Sequence, residues 1–177
     1  ISYLAADELP AVIVDMVRGG PGMGNISPAQ SDYMQATRGG GHGDYKTIVL
    51  APGSVQELTE IVPLAFDLAE KYRNPVVILG DGMLGQMMEP VEFDNIKLPG
   101  EYPKDYILTG AKGRPSRMVK SLLFDTKEEE EHNWKLFRKY RLMEQNEVRY
   151  ETFLLDDAEM VVIAYGIAAR IVKGAIK

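Results

Sequence analysis

Three short apolar runs constrain the fold of this chain more than any other feature. They cover residues 11–17, 46–51 and 75–81, and each suits a β-strand. Helical patterns between them occupy residues 28–37 and 55–72. This alternation predicts an α/β fold with a doubly wound, mostly parallel sheet. The first run is rich in β-branched residues, and we expect that strand to be buried on both faces.

Helix starts are visible as capping patterns. Ser27 and Pro28 resemble an N-cap followed by proline at the first helical position, which predicts a helix from there to about residue 37. Ser54 and Glu57 form a capping box that opens the clearest amphipathic helix. Pro63 lies inside that helix and is expected to kink it.

The second half of the chain differs from the first in composition and in predicted elements. Residues 89–113 are rich in proline and glycine and predict an extended connection. A capping box at Thr126 and Glu129 predicts a further helix, with one apolar side formed by Trp134, Phe137, Tyr140 and Met143. A strand at 160–166 and a following helix would begin a second α/β domain. We therefore divide the chain into 1–92, a linker at 93–125, and 126–177.

Composition excludes several classes of function. The net charge of -6 argues against a nucleic-acid partner, and no apolar stretch is long enough to predict a membrane span. The chain has no cysteine, so it offers no thiolate for a zinc site or an iron–sulfur cluster. A cytoplasmic location is the default expectation. Because the chain begins with Ile1 and ends inside a helical pattern, we expect it to be part of a longer polypeptide.

A glycine-rich loop directly after the first strand is the strongest candidate site. It contains Arg18, Gly19, Gly20, Gly22 and Gly24. Ligands of open parallel sheets bind beyond the carboxyl ends of the strands, where glycines let backbone amides approach an anion and an arginine can bind a carboxylate through two hydrogen bonds. The alternative is a tight turn with a solvated arginine.

A second glycine-rich loop, at 39–44, carries His42. This histidine could transfer a proton, contact a substrate, or belong to a loop that orders against a partner. The other histidine, His132, is expected at the surface. The two histidines do not suggest a metal site, and no catalytic residue is assigned.

The segment from Gly80 to Gly85 matches the G-x-G-x-x-G pattern of dinucleotide-binding folds. That pattern requires a long helix after it, whereas Glu89 and Pro90 end any helix after about one turn. Gly80 to Gly82 also resembles the start of a magnesium and thiamin diphosphate signature, whose second half is missing near residues 105–110. We interpret the segment as a turn at the end of a strand.

Three long segments together carry a family resemblance: residues 14–57, 65–91 and 144–166. In them the chain resembles the alpha subunit of 2-oxoacid:ferredoxin oxidoreductases, in the group that acts on 2-oxoglutarate or 2-oxoisovalerate. The resemblance implies that residues 1–92 are the later part of a pyrimidine-type thiamin-diphosphate domain. It also implies that the C-terminal segment begins a domain similar to the C-terminal domain of transketolase.

The resemblance further implies coenzyme A-dependent oxidative decarboxylation of a 2-oxoacid, with electrons passed to ferredoxin. Thiamin diphosphate would be shared with a beta subunit, and Mg²⁺ and iron–sulfur clusters would lie on the partner subunits, including an iron–sulfur and a gamma subunit. Arg18 matches the family arginine that faces the substrate carboxylate. The family's substrate-contacting threonine and its thiamin-activating glutamate would lie upstream of Ile1. The competing hypothesis is a non-catalytic nucleotide-binding or assembly subunit of the same fold.

Overall fold

A computed structural model describes residues 1–94 and 96–176. Its elements alternate as the apolar runs predict, and an α/β fold built on a parallel sheet is confirmed. In chain order they are α1 (Ser2–Ala6), β1 (Ala11–Val17), α2 (Tyr33–Arg38), β2 (Ile48–Leu50), α3 (Val55–Tyr72), β3 (Pro75–Asp81), α4 (Thr126–Asn146) and α5 (Gly166–Ala175).

The sheet has the strand order β1-β3-β2, and both pairings are parallel. The central strand β3 is buried along its whole length. β1 lies at an edge, and Val14 is exposed, so the prediction that β1 is buried on both faces is wrong. A strand at the edge of a sheet has a neighbouring strand on one side only and is less completely buried than a central strand. The apolar sequence of β1 could not reveal that it lies at the edge.

Helices pack against both faces of the sheet. On one face, α3 and α4 share a core with β2 and β3; its members are Ile48, Leu50, Ala65, Leu68, Ala69, Val76, Ile78, Leu136, Tyr140 and Met143. On the other face, Leu79 lies beside Gln30, which precedes α2, and Tyr165, which precedes α5. Burial of these apolar side chains is the main stabilising term, about 25 cal/mol per Å² of apolar surface removed from water.

α3 begins at the predicted cap. Ser54 Oγ accepts a hydrogen bond from Glu57 N at 3.0 Å, and the Glu57 carboxylate accepts one from Gly53 N at 2.8 Å. Pro63 lies inside the helix as expected. Along the outer side of α3, Asp67 and Glu70 accept hydrogen bonds from the hydroxyls of Tyr102 and Tyr106, both at 2.8 Å. The connection between β3 and α4 is therefore attached to α3 by these tyrosines.

Two element boundaries differ from the sequence prediction. The helix expected from Pro28 begins only at Tyr33, because Ser27 O accepts a hydrogen bond from Gly19 N and Pro28 forms an antiparallel bridge with Arg18. β2 is shorter than predicted. Lys46 O accepts a hydrogen bond from the Asn74 side-chain amide at 2.9 Å instead of joining the strand ladder.

The C-terminal half requires further corrections. α4 is capped by Asp125, whose carboxylate accepts hydrogen bonds from Lys127 N and Glu128 N, and not by Thr126. Trp134 and Phe137 point outward and are exposed, so they do not share an apolar side with Tyr140. The strand predicted at residues 160–166 is not formed: residues 160–165 pair with no strand of the described residues, and Gly166 begins α5. The proposed start of a second domain therefore stays a prediction.

Candidate functional site at the carboxyl edge of the sheet

The loop after β1 is closed on itself by backbone hydrogen bonds. Gly19 N donates to Ser27 O at 2.9 Å, and Asn25 N donates to Gly19 O at 2.8 Å. The Asn25 side-chain oxygen in turn accepts a hydrogen bond from Ser27 N at 2.8 Å. Residues 18–28 therefore form a compact loop at the carboxyl end of β1, which we call the Arg18 loop.

Two glycines of the Arg18 loop require positive φ. Gly22 has φ 66° and Gly24 has φ 52°, which place both in the left-handed region that favours glycine. A Cβ on Gly24 would overlap the carbonyl oxygen of Gly19, whereas one on Gly22 would meet no atom within 4 Å. Gly24 is therefore required by close packing as well as by its backbone conformation.

Arg18 is exposed and its side chain folds over its own loop. The guanidinium donates to the carbonyl oxygens of Gly22 at 3.2 Å, of Gly19 at 3.3 Å, and of Met23. These bonds hold the guanidinium at the carboxyl edge. A guanidinium has five N–H donors in a planar fork, a geometry that matches a carboxylate.

β3 ends next to the Arg18 loop. Gly82 N donates to Val17 O at 2.9 Å, and a Cβ on Gly82 would lie 3.4 Å from Ile26 O. The buried Asp81 carboxylate accepts hydrogen bonds from Met83 N at 2.9 Å and Leu84 N at 3.0 Å. Asp81 thus caps a turn over residues 82–86, in agreement with the interpretation of this segment as the end of a strand.

The dinucleotide alternative required a long helix after Gly85. No helix occurs between the turn at 82–86 and α4 in the residues that the structure describes, 1–94 and 96–176. Among the same residues, no three His, Cys, Asp or Glu side chains group in a way that could hold a metal ion.

Sequence reasoning missed the contribution of the C-terminal segment to this edge. A narrow cleft beyond β1 and β3 is lined by Gln30, Pro52, Asp81 and Tyr165. Gln30 Nε2 donates to Tyr165 O at 3.1 Å, and the Tyr165 ring stacks on Tyr33 with centroids 5.5 Å apart. No local pattern signals a contact between residues so distant in sequence.

An ion pair fastens α5 beside the same edge. Arg170 donates to one oxygen of Glu89 at 2.5 Å, while Val55 N at the start of α3 donates to the other at 3.0 Å. The hydrogen bond from Arg170, followed by the one from Val55 N, lowers the pKa of Glu89. Burial raises the pKa of the Tyr165 hydroxyl, with nearby Tyr33 and Asp81 adding to the effect.

The second glycine-rich loop, which carries His42, contacts a different part of the molecule from the Arg18 loop. The His42 carbonyl accepts a hydrogen bond from Ser2 Oγ at 2.8 Å, and its ring meets the ring of Tyr3 edge-on at 6.2 Å. Both contacts are to α1, which precedes β1, and His42 itself precedes β2. These contacts do not bring His42 to the Arg18 loop. The other histidine, His132, lies at the surface as expected: it is partly exposed and lines an open groove, with Nε2 2.9 Å from Ala6 O of α1.

Comparison with known proteins now decides the family. Residues 1–147 match the family model described as pyruvate flavodoxin/ferredoxin oxidoreductase, thiamine diphosphate-binding. The chain belongs to this family. No helix of the described residues is long and apolar enough to cross a membrane.

Relatives within the family share much of the sequence. The chain is 50% identical over 176 residues to the ketoisovalerate oxidoreductase subunit VorB of Methanothermobacter marburgensis, covering 99% of this chain and 50% of the relative. It is 35% identical over 201 aligned positions to the 2-oxoglutarate synthase subunit KorA of Methanocaldococcus jannaschii, covering 100% of this chain and 54% of the relative. The chain thus spans about half the length of these curated relatives.

A solved structure of similar fold is the 2-oxoglutarate:ferredoxin oxidoreductase from Magnetococcus marinus, with 2-oxoglutarate, coenzyme A and succinyl-CoA bound. The TM-score is 0.66 at 25% identity, and the match covers 83% of this chain and 30% of the solved one.

Proposed function

We propose that this chain is part of the alpha-type subunit of a 2-oxoacid:ferredoxin oxidoreductase whose substrate is a branched 2-oxoacid such as 2-oxoisovalerate. The observation that carries the proposal is the 50% identity over nearly the whole chain to a ketoisovalerate oxidoreductase subunit. The more distant 2-oxoglutarate enzymes supply the second candidate substrate.

In the reaction, the bond between C1 and C2 of the oxoacid breaks and CO₂ leaves. Coenzyme A takes the acyl group as a thioester, and two electrons pass to ferredoxin.

The chemistry comes from thiamin diphosphate, which stabilises negative charge at the 2-keto carbon when bound. We propose that a beta subunit shares it, with Mg²⁺ and iron–sulfur clusters held on partner subunits. The exposed apolar side chains around the carboxyl edge support a shared site, because such a rim is suited to burial against another subunit. They are Met23, Ile26, Met83 and Met88.

In this proposal Arg18 binds the substrate carboxylate. Its guanidinium is exposed at the carboxyl end of β1 and is oriented in advance by the carbonyls of its own loop. A charge-assisted hydrogen bond to a carboxylate contributes about 1.5–3 kcal/mol. The Arg18 loop glycines allow the close backbone approach that a carboxylate needs. His42, whose contacts are to α1, would contact the substrate only from outside the Arg18 loop.

The first experiment measures dye reduction by the assembled complex under anaerobic conditions, with coenzyme A and a panel of 2-oxoacids. We expect reduction that requires coenzyme A and is fastest with 2-oxoisovalerate. Preference for 2-oxoglutarate would keep the enzyme class and change the substrate. Absence of reduction with every oxoacid, from a complex shown to hold thiamin diphosphate and its clusters, would refute the function.

Kinetics of Arg18→Ala test the residue assignment. We expect the KM for the oxoacid to rise about ten- to hundredfold while the KM for coenzyme A stays unchanged, since only the oxoacid loses its carboxylate partner. Arg18→Lys keeps the charge without the planar fork and should lie between the wild type and Arg18→Ala. Equal increases for both substrates would remove Arg18 from the role. His42→Ala, measured in the same way, would retain His42 in the site only if the oxoacid KM rises.

A further inference from the structure

One side of α4 faces away from the core and carries aromatic side chains. Trp134 and Phe137 are 53% and 47% exposed, and their rings meet edge-on with centroids 5.6 Å apart. The Arg141 guanidinium lies 5.2 Å from the Phe137 ring centroid. We call the outward-turned residues Lys127, Glu130, Trp134, Phe137, Arg141 and Glu144 the outer face of α4. Tryptophan, phenylalanine and arginine are among the residues enriched at protein–protein interfaces.

On the outer face of α4, the charged residues that flank the aromatic pair have opposite signs. Glu130 precedes Trp134, and Arg141 follows Phe137. The two charged residues are about three turns apart, so they project from the same side of the helix. They are too far apart to pair with each other within one helix, and Arg141 instead contacts Glu144 at 3.1 Å in an exposed ion pair. Exposed pairs of this kind contribute little to stability and exchange readily.

The spacing of these residues is self-complementary. A two-fold axis perpendicular to α4, midway between Trp134 and Phe137, places each aromatic residue opposite the other kind on a second, antiparallel α4. Glu130 and Arg141 both lie about 8 Å along the helix from that axis, so each falls opposite the other residue of the second copy. Lys127 and Glu144 are likewise equidistant from the axis, at about 13 Å. One register therefore matches the aromatic pair and both charged pairs.

An open groove of about 670 Å³ borders the outer face and includes Glu131, Trp134 and Arg138 in its lining. Grooves beside an exposed aromatic residue accommodate side chains of a docking partner.

From this register we propose that α4 is a self-association surface, on which two copies of this chain pair through antiparallel α4 helices. The contact is isologous, because the same residues contribute from both copies. The aromatic residues form its centre, and the Glu130–Arg141 pairs between the copies select the antiparallel register. This role is independent of the proposed enzymatic activity.

Charge reversal tests the proposed register. The full chain and its variants Glu130→Arg and Arg141→Glu are compared by sedimentation velocity over a range of concentrations, with circular dichroism to verify folding. We expect a dimer for the wild type. Each variant alone should dissociate at a concentration about tenfold higher or more, because both inter-copy pairs become repulsive. An equimolar mixture of the two variants should recover the dimer, since in the mixed species every pair is again attractive.

Glu101→Arg is the matched control for Glu130→Arg, because it makes the same change in net charge at an exposed position outside α4, and it should remain dimeric. A monomeric wild type would overturn the proposal and mean that another subunit or another part of a longer polypeptide covers the face. Dimers that persist in both single variants, or a mixture that stays dissociated, would also overturn it.

Discussion

Alanine substitutions at two glycines of one loop test whether the Arg18 loop is held by close packing. Gly22 and Gly24 both have positive φ, so Gly→Ala costs about 1 kcal/mol at either position from backbone strain alone. Only Gly24→Ala adds a steric conflict, because its Cβ would overlap Gly19 O and lie 2.7 Å from Arg18 Nη1. Moving the Gly19 carbonyl would break its hydrogen bonds with Asn25 N and Arg18, at about 1 kcal/mol each.

The expected loss of unfolding free energy is therefore about 1 kcal/mol for Gly22→Ala and about 3 kcal/mol for Gly24→Ala. In thermal denaturation this corresponds to decreases in Tm of roughly 3 °C and 9 °C. In the assembled complex, Gly24→Ala should also raise the oxoacid KM, because it displaces the Arg18 guanidinium. Equal Tm and equal oxoacid KM for the two variants would refute the packing argument.

Two further predictions concern the N-terminal segment and α4. Burial alone would raise the pKa of Glu8, but the hydrogen bond from Lys135 and the charge of Lys139 outweigh burial and lower it. The stability that ionised Glu8 provides is present above its ordinary pKa of 4.5 and is lost as the pH falls through the lower folded value. Urea denaturation should therefore give Glu8→Gln a free energy of unfolding about 2 kcal/mol below that of the wild type at neutral pH. The two values should converge in acid. Asp125→Ala should cost about 1 kcal/mol while Thr126→Ala costs little, measured in the same way, because only Asp125 caps α4; the reverse order would restore the capping box expected from sequence.

Local chemistry made part of the fold predictable. β1 and β3 span the residues expected from their apolar runs, and Ser54 caps α3 as its spacing with Glu57 predicts. These features depend on interactions within a few residues of sequence, for which one sequence is sufficient. The turn at Asp81 belongs to the same group, since the residue that ends the strand also supplies the capping carboxylate.

Errors arose where a distant partner competed with a local pattern. Ser27 and Pro28 resemble a helix start, yet pairing with Gly19 and Arg18 keeps them in the loop. Trp134 is apolar enough for a core position, but the buried side of α4 is set by which residues meet the shared core with α3. Neither competition is visible in the order of residues alone.

The sequence by itself determined the α/β alternation, the parallel sheet, the family and the place of Arg18 at the carboxyl end of a strand. Only the tertiary structure decided that Gly24 fits against Gly19, that Gln30 and Tyr165 meet at the same edge, and that His42 contacts α1 instead. The physical reason is that the spacing of apolar residues, helix capping and turn formation depend on residues that are neighbours in the chain. The composition of a site, in contrast, depends on which distant segments the packing of the sheet and its helices brings together.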